Sequence, residues 1–192
     1  MKRAFDIVVS AAALLALSPL LLIVTVAVLM DGRGPAFFLQ RRGGFVGRPF
    51  LIYKFRTMTT MDDGKAISQA VRDDPRVTRL GALLRKLSID ELPQLYNVLK
   101  GDMSIVGPRP HAVAHDREFM AVAPRYRSRR RARPGITGLA QVSGSRGLTA
   151  DAASVEARVA LDLRYIETWS PLLDVWIIVR TALLMFYDKR AH

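Results

Sequence analysis

The sequence predicts a mostly helical α+β protein held on one face of a membrane. Its parts would be an N-terminal re-entrant helix broken at Ser18-Pro19, a small β-hairpin and amphipathic helices suited to an interface. Three observations carry that class. An uncharged run of 24 residues, Ile7 to Met30, sits in a chain whose net charge is +12, from 29 Lys and Arg against 17 Asp and Glu. Basic residues flank the run on both sides, Lys2 and Arg3 before it and Arg33, Arg41, Arg42 and Arg48 after it. A second apolar segment, Pro171 to Tyr187, closes the chain and carries Trp176, Arg180 and Tyr187, with Trp169 just before it.

The first run defines the membrane segment. As a helix it reaches roughly 36 Å, enough for a hydrocarbon core of about 30 Å. A secretory signal peptide is the competing reading, but the run is long for one and no small-x-small cleavage site precedes Asp31. A buried core helix would have to enclose 24 uncharged residues on all sides in a chain of 192, more than one small domain holds. Proline removes a backbone donor and biases the residue before it away from the helical region, so Ser18-Pro19 marks a bend. Positive flanks favour the cytoplasmic side. A bent helix entering and leaving by one leaflet satisfies both flanks, whereas a straight span satisfies one. The chain thus divides into residues 1–32, the re-entrant helix with Lys2, Arg3 and Asp6 at its entrance, and residues 33–192 on the cytoplasmic face, in one continuous fold.

The remaining elements follow in order. Ala36 to Leu39 and Pro49 to Phe55 read as strands of a hairpin, with Arg42-Gly43-Gly44 and Val46-Gly47-Arg48 as turns. Met58 to Arg76, with Asp62, Asp63, Asp73 and Asp74, reads as a polar loop. Val77 to Lys86 is a basic amphipathic helix with Leu80, Leu83, Leu84 and Leu87 at helical spacing. A second helix starts near Ser88 to Asp90 and stops at Gly101. Ser104 to Pro110 is a short strand entering a rigid turn, His115 to Val122 a helix, Leu139 to Val142 a strand, and residues 151–168 an amphipathic helix.

Composition narrows the function. Half the residues are hydrophobic and mean hydropathy is +0.14, which excludes a disordered chain, and the basic excess calls for negative partners. The absence of cysteine excludes disulfides, thiolate metal sites and a cysteine nucleophile. Asp90-Glu91 is the most informative short feature: Pro93 belongs to a helix's first turn, which places both carboxylates at a helix N-terminus, where amides also favour phosphate. A carboxylate beside a bound phosphate can attack phosphorus if a cation screens the repulsion. The plain alternative is helix capping, since Ser88 with Glu91 fits a capping box. Lys54, Arg56, Arg85 and Arg109 supply cations suited to phosphate, and prolines on either side stiffen the Arg109 backbone. The arginines from Arg125 to Arg133 are better explained by anionic lipid headgroups. His111 and His115 lie four apart, a metal spacing without an evident third ligand. With Tyr126 as the aromatic inside the arginine run, a nucleic-acid binder is disfavoured, and a non-catalytic membrane scaffold stands as the alternative class.

Taken together, Lys54-Phe55-Arg56-Thr57-Met58, the stretch from Arg85 through Ser88-Ile89-Asp90-Glu91-Leu92-Pro93-Gln94-Leu95 to Ser104, and Val106-Gly107-Pro108-Arg109-Pro110 resemble the bacterial sugar transferase family, the monotopic phosphoglycosyl transferases. Pro134 to Gly138, Ala140-Gln141-Val142, and Asp162, Tyr165, Ile166, Trp169 and Ser170 extend the likeness over nearly the whole chain. The resemblance implies transfer of a sugar 1-phosphate from a UDP-sugar to undecaprenyl phosphate, with release of UMP. It implies a ping-pong path in which Asp90 is the nucleophile and Glu91 binds Mg2+. It makes Lys54, Arg56, Arg85, Pro108, Arg109, Pro110, Arg133, Thr137 and Gln141 substrate-binding candidates, and Ser18-Pro19 the break of a membrane anchor. Pro110 to His115 is similar to members that use glucose 1-phosphate to start exopolysaccharides, with galactose as the alternative. Larger members carry further N-terminal membrane helices and an accessory domain, so this sequence corresponds to their catalytic core. The implied setting is the cytoplasmic face of the bacterial inner membrane with anionic lipids as neighbours, no nucleic acid, and self-association left open.

Overall fold

A computed structural model describes residues 1–59, 71, 74–145 and 151–187. The leading helix α1, Lys2–Met30, is long and apolar enough to cross a membrane, and 11% of its apolar stretch is buried inside the protein, which excludes a core helix. The break expected at Ser18-Pro19 is an unbroken helical run instead. The reason is local: Pro19 has no N–H to give the carbonyl four residues back, and the Ser18 hydroxyl donates to that same Leu15 carbonyl at 2.8 Å.

Both ends of α1 are fastened to the rest of the chain. At its start Arg3 donates to the Val98 and Leu99 carbonyls, Asp6 accepts from Ser104 Oγ at 3.0 Å and Ile105 N at 3.2 Å, and Lys2 pairs with Asp174 at 2.7 Å. At its end Val24 and Val28 pack with Ala36, Phe55 and Leu84. There Arg56 donates to the carbonyls of Val28, Gly32 and Arg33, a cation on the carbonyls that a helix end leaves unpaired.

The hairpin pairs β1, Phe37–Gly43, with β2, Pro49–Phe55, antiparallel, with Phe37 opposite Phe55 and Gly43 opposite Pro49. Arg42 and Gly43, read as turn, are thus strand residues. Of the polar loop 58–76, residues 60–70, 72 and 73 lie outside the described residues; that set includes Asp62, Asp63 and Asp73. Helix α2, Arg79–Lys86, starts from Thr78, whose hydroxyl accepts from Gly81 N at 2.9 Å. The second leucine-bearing segment begins later than predicted. A single 3-10 turn, Ile89–Glu91, precedes Leu92 and Pro93, and α3 runs Gln94–Lys100 to a left-handed Gly101.

Next come β3, Ser104–Val106, α4, Val113–Val122, and a 3-10 turn, Tyr126–Arg131. Strand β4, Gly135–Thr137, pairs parallel with β3, Ser104 facing Gly135 and Val106 facing Thr137. The expected strand Leu139 to Val142 is instead helix α5, Leu139–Val142. Glycines decide this: a Cβ on Gly135 would lie 2.1 Å from Gly107 N and one on Gly138 2.2 Å from Gly107 O, so close backbone pairing occurs there and the chain turns helical just after. Helix α6, Ala152–Glu167, opens with a reciprocal Asp151–Ser154 capping box, and α7 spans Pro171–Tyr187. One core gathers Ile52, Val98, Met103, Ile105, Val106, Val142, Tyr165 and Ile177 beneath the β3–β4 pair, and Phe119, Tyr126, Val155, Val159 and Leu163 form a second.

Gly135→Ala is expected to cost about 2–3 kcal/mol of stability by overpacking, since its new Cβ meets only backbone atoms and no flexible side chain can yield. Denaturant unfolding of the purified protein measures it.

Candidate active site

The site begins at Ser88, whose φ of 52° and ψ of 22° reverse the chain after α2 and launch the 3-10 turn. Ser88 makes no side-chain capping bond, and Glu91 reaches across the fold rather than back to it, so the capping box does not form. The Glu91 carboxylate receives Lys54 Nζ from β2 at 2.6 Å and the forked guanidinium of Arg109 at 2.7 and 3.3 Å. Asp90 is 6% exposed, its Oδ2 3.7 Å from the same Lys54 ammonium.

The two neighbouring carboxyls are driven apart. Burial raises the Asp90 carboxyl above its ordinary range, with Lys54 opposing and the Glu91 charge adding to the rise. Burial also works against the Glu91 charge, but Arg109 and Lys54 together overcome it and hold that carboxyl well below its usual range. Glu91 is the permanent anion; Asp90 is the poorly solvated, more basic carboxylate. Arg85 adds to the positive field on Asp90 and donates to Thr57 Oγ1 at 3.1 Å.

Behind Arg109 lies a buried polar layer that the sequence reading did not anticipate. Arg42 Nη1 donates to the Pro110 carbonyl at 3.0 Å, and burial together with the Arg109 charge lowers Arg42 to about 10. Arg129 pairs with Asp162 at 2.6 Å and lies over the Tyr126 ring. Tyr126 gives its one hydroxyl proton to Asp116; His111 Nδ1 lies 2.6 Å from Tyr126 Oη and 3.2 Å from Arg129 Nη1, and His111 Nε2 lies 3.3 Å from Arg158 Nη1. Burial, then Arg129 and Arg158, hold His111 well below its usual range as a neutral ring. His111 is therefore spent on this network, and among the described residues no group of three or more His, Cys, Asp or Glu gathers to hold a metal. The signal available in sequence was a carboxylate on an apolar helix face, as Asp162 is beside Val159, Leu163 and Tyr165.

The structure therefore brings Asp90, Glu91, Lys54, Arg85 and Arg109 together, with Pro108 and Pro110 bracketing Arg109. It spends Arg56 on the end of α1, and it places Arg133 at the surface, where Nε donates to Gly101 O at 3.1 Å. Thr137 Oγ1 meets Thr181 Oγ1 of α7 at 2.6 Å, and Gln141 Nε2 donates to Ile136 O at 3.1 Å, so both tie elements beneath the site. The arginine run assigned to lipid divides: Arg129 is buried and Arg130 pairs with Asp116 at 3.0 Å, while Arg127 and Arg131 remain exposed.

Fold and site define a domain carrying a membrane-length helix and built around a cation-clamped carboxylate pair. The family model described as bacterial sugar transferase matches residues 1–188, and the chain belongs to that family. It is 52% identical over 191 residues to a UDP-glucose:undecaprenyl-phosphate glucose-1-phosphate transferase of Caulobacter vibrioides, covering 100% of this chain and 72% of that one. It is 46% identical to the protein of that name from Escherichia coli K12, covering 100% of this chain but 41% of the relative, so the chain spans about two fifths of that protein. The exopolysaccharide production protein PSS of Rhizobium leguminosarum bv. phaseoli is 46% identical, with 94% of this chain and 92% of that one covered.

The split between the two carboxyls predicts opposite stability effects. Glu91→Gln leaves Lys54 and Arg109 without their anion and should cost about 3 kcal/mol at neutral pH, whereas Asp90→Asn should unfold at or above the parent temperature. By linkage, Glu91 contributes stability above its ordinary 4.5 that is lost as pH falls through its lowered value. The contribution of Asp90 is present below its ordinary 3.8 and is lost as pH rises through its raised value. Thermal unfolding of the three proteins across pH checks both signs.

Proposed function

We propose that the chain transfers a sugar 1-phosphate, glucose in the first instance, from a UDP-sugar to undecaprenyl phosphate and releases UMP, initiating assembly of an exopolysaccharide or another glycan. The observation that carries this reading is the division of labour in the dyad: a permanently ionised Glu91 locks two cations beside a more basic Asp90. The activities for which the relatives are named support the same reaction.

In the first step an Asp90 carboxylate oxygen attacks the sugar-bearing phosphorus. The new O–P bond forms as the bond to the bridging oxygen breaks, and UMP leaves with that oxygen. In the second step a phosphate oxygen of undecaprenyl phosphate attacks the same phosphorus and frees the Asp90 carboxylate. Splitting the transfer lets a soluble and a lipid substrate use one site in turn. Lys54 and Arg109 face the phosphate charge, and Arg85 lowers the cost of ionising Asp90.

The donor set also suits magnesium, which takes one or two carboxylates and completes its shell with phosphates and water. Among the described residues Glu91 Oε2 carries only the 3.3 Å contact from Arg109, and Asp90 Oδ2 lies 3.7 Å from Lys54, so carboxylate lone pairs remain for the ion. Glu91 would hold the ion, which would neutralise diphosphate charge and make UMP a better leaving group.

In this reading α1 re-enters the cytoplasmic face of the bacterial inner membrane, and both substrates meet at headgroup level. Support comes from the two ends of α1 being bound to one domain, by Arg3 and Asp6 at one end and Arg56 at the other. Exposed Arg127 and Arg131 face anionic lipid.

Asp90→Asn is expected to abolish UMP release from UDP-glucose with undecaprenyl phosphate while the protein stays in the membrane fraction. Parent enzyme quenched in acid after UDP-glucose alone should carry added sugar-phosphate mass on the Asp90 peptide; its absence would favour direct transfer. For topology, cysteines placed at Lys2 and Arg33 should be labelled from the same side of a sealed vesicle, and labelling from opposite sides would refute re-entry.

A further inference from the structure

Arg109 leaves the chain from a segment that holds no strand or helix hydrogen bonds of its own, and Pro108 and Pro110 offer no amide donors. Those two prolines can be tied only through their carbonyls, and four successive carbonyls of the segment are taken. Gly135 N of β4 donates to the Pro108 carbonyl at 3.0 Å and Arg129 Nη2 to that of Arg109 at 2.8 Å. Arg42 Nη1 donates to the Pro110 carbonyl at 3.0 Å and Gly43 N of β1 to that of His111 at 3.1 Å. Two of these donors are backbone amides, which any sequence supplies. The donor on the Arg109 carbonyl itself is a charged group with a side chain 6% exposed, and burying it is costly unless it is paired. Asp162, 2% exposed on α6, supplies that pairing at 2.6 Å through Nε, which turns the other arm of the guanidinium toward Arg109.

We propose that Arg129, oriented by Asp162, is a positioning residue for Arg109: it holds the backbone from which Arg109 reaches Glu91. The kinetic part rests on the phosphoglycosyl transfer reading; the anchoring part does not. An ammonium cannot replace the fork, because a point charge does not reach Asp162 and the Arg109 carbonyl in the two directions that Nε and Nη2 serve. Small displacements of an aligned group lower turnover on the order of a hundredfold, so a loosened Arg109 should be felt in kcat.

The test uses the full chain with Arg129→Lys, which keeps the charge, and Asp162→Asn, which keeps shape and an acceptor. Hydrogen exchange at the Gly43 and Gly135 amides reports on the segment whatever the substrate, and both variants should exchange faster there while a distant helix such as α3 is unchanged. Turnover, read as UMP release, should fall at least tenfold in either variant and less than twofold further when either is added to Arg109→Gln. Unchanged exchange at both amides overturns the proposal. Faster exchange with losses that multiply in the Arg109→Gln background also overturns it, because Arg129 would then be a core tie and nothing more. Faster exchange in a chain whose parent releases no UMP from any UDP-sugar supports the anchoring and sinks the transfer reading instead.

Discussion

The structure depends on one carboxylate. Glu91 is largely buried, its side chain 16% exposed, and its charge is held because Lys54 and Arg109 meet it from two other parts of the chain. Lys54 is aimed by the register of the hairpin, with Phe38 opposite it, and Arg109 by the segment leaving the β3–β4 pair. The left-handed Ser88 sets the direction of Glu91 itself. The clamp thus demands that three regions far apart in sequence agree in position, and it keeps two cations beside Asp90 before any phosphate arrives. That preorganisation is what makes a more basic, poorly solvated Asp90 useful rather than merely costly.

The same logic recurs away from the site. Asp6, Asp162 and Asp174 each sit on a helix among apolar neighbours, and each is buried and answered by specific donors. Asp6 ties α1 to β3; Asp162 ties α6 to the arginine turn; Asp174 accepts from Lys2, Tyr165 and Trp169. With much of the apolar surface of α1 and α7 facing outward, the chain fixes its helices also with ionic and hydrogen-bonded ties whose geometry admits few alternatives.

Where local chemistry decided the outcome, the sequence was legible. The uncharged run, the hairpin, the Thr78-led helix and the amphipathic 151–168 segment fell close to where spacing put them. Legibility failed where a residue's partner lay far along the chain. Leu139 to Val142 reads like a strand, but Gly107, Gly135 and Gly138 place the strand at Gly135–Thr137, four residues earlier, by letting two backbones touch. Arg56, in a motif beside Lys54, closes the end of α1, and Arg129, in a run that looks made for lipid, is among the most enclosed charges in the fold. Ser18-Pro19 reads as a break, yet the serine hydroxyl supplies the bond that the proline lacks.

The sequence by itself determined the membrane-length helix, the excess of cations and the acidic pair, because apolar run length, net charge and adjacency are properties of the chain read in order. Tertiary structure decided which cations serve that pair, which carboxyl stays charged, and which arginines are scaffold. Those outcomes rest on burial and on distances of a few ångströms between residues dozens of positions apart, and at that range desolvation and pairing outweigh the intrinsic character of any single residue.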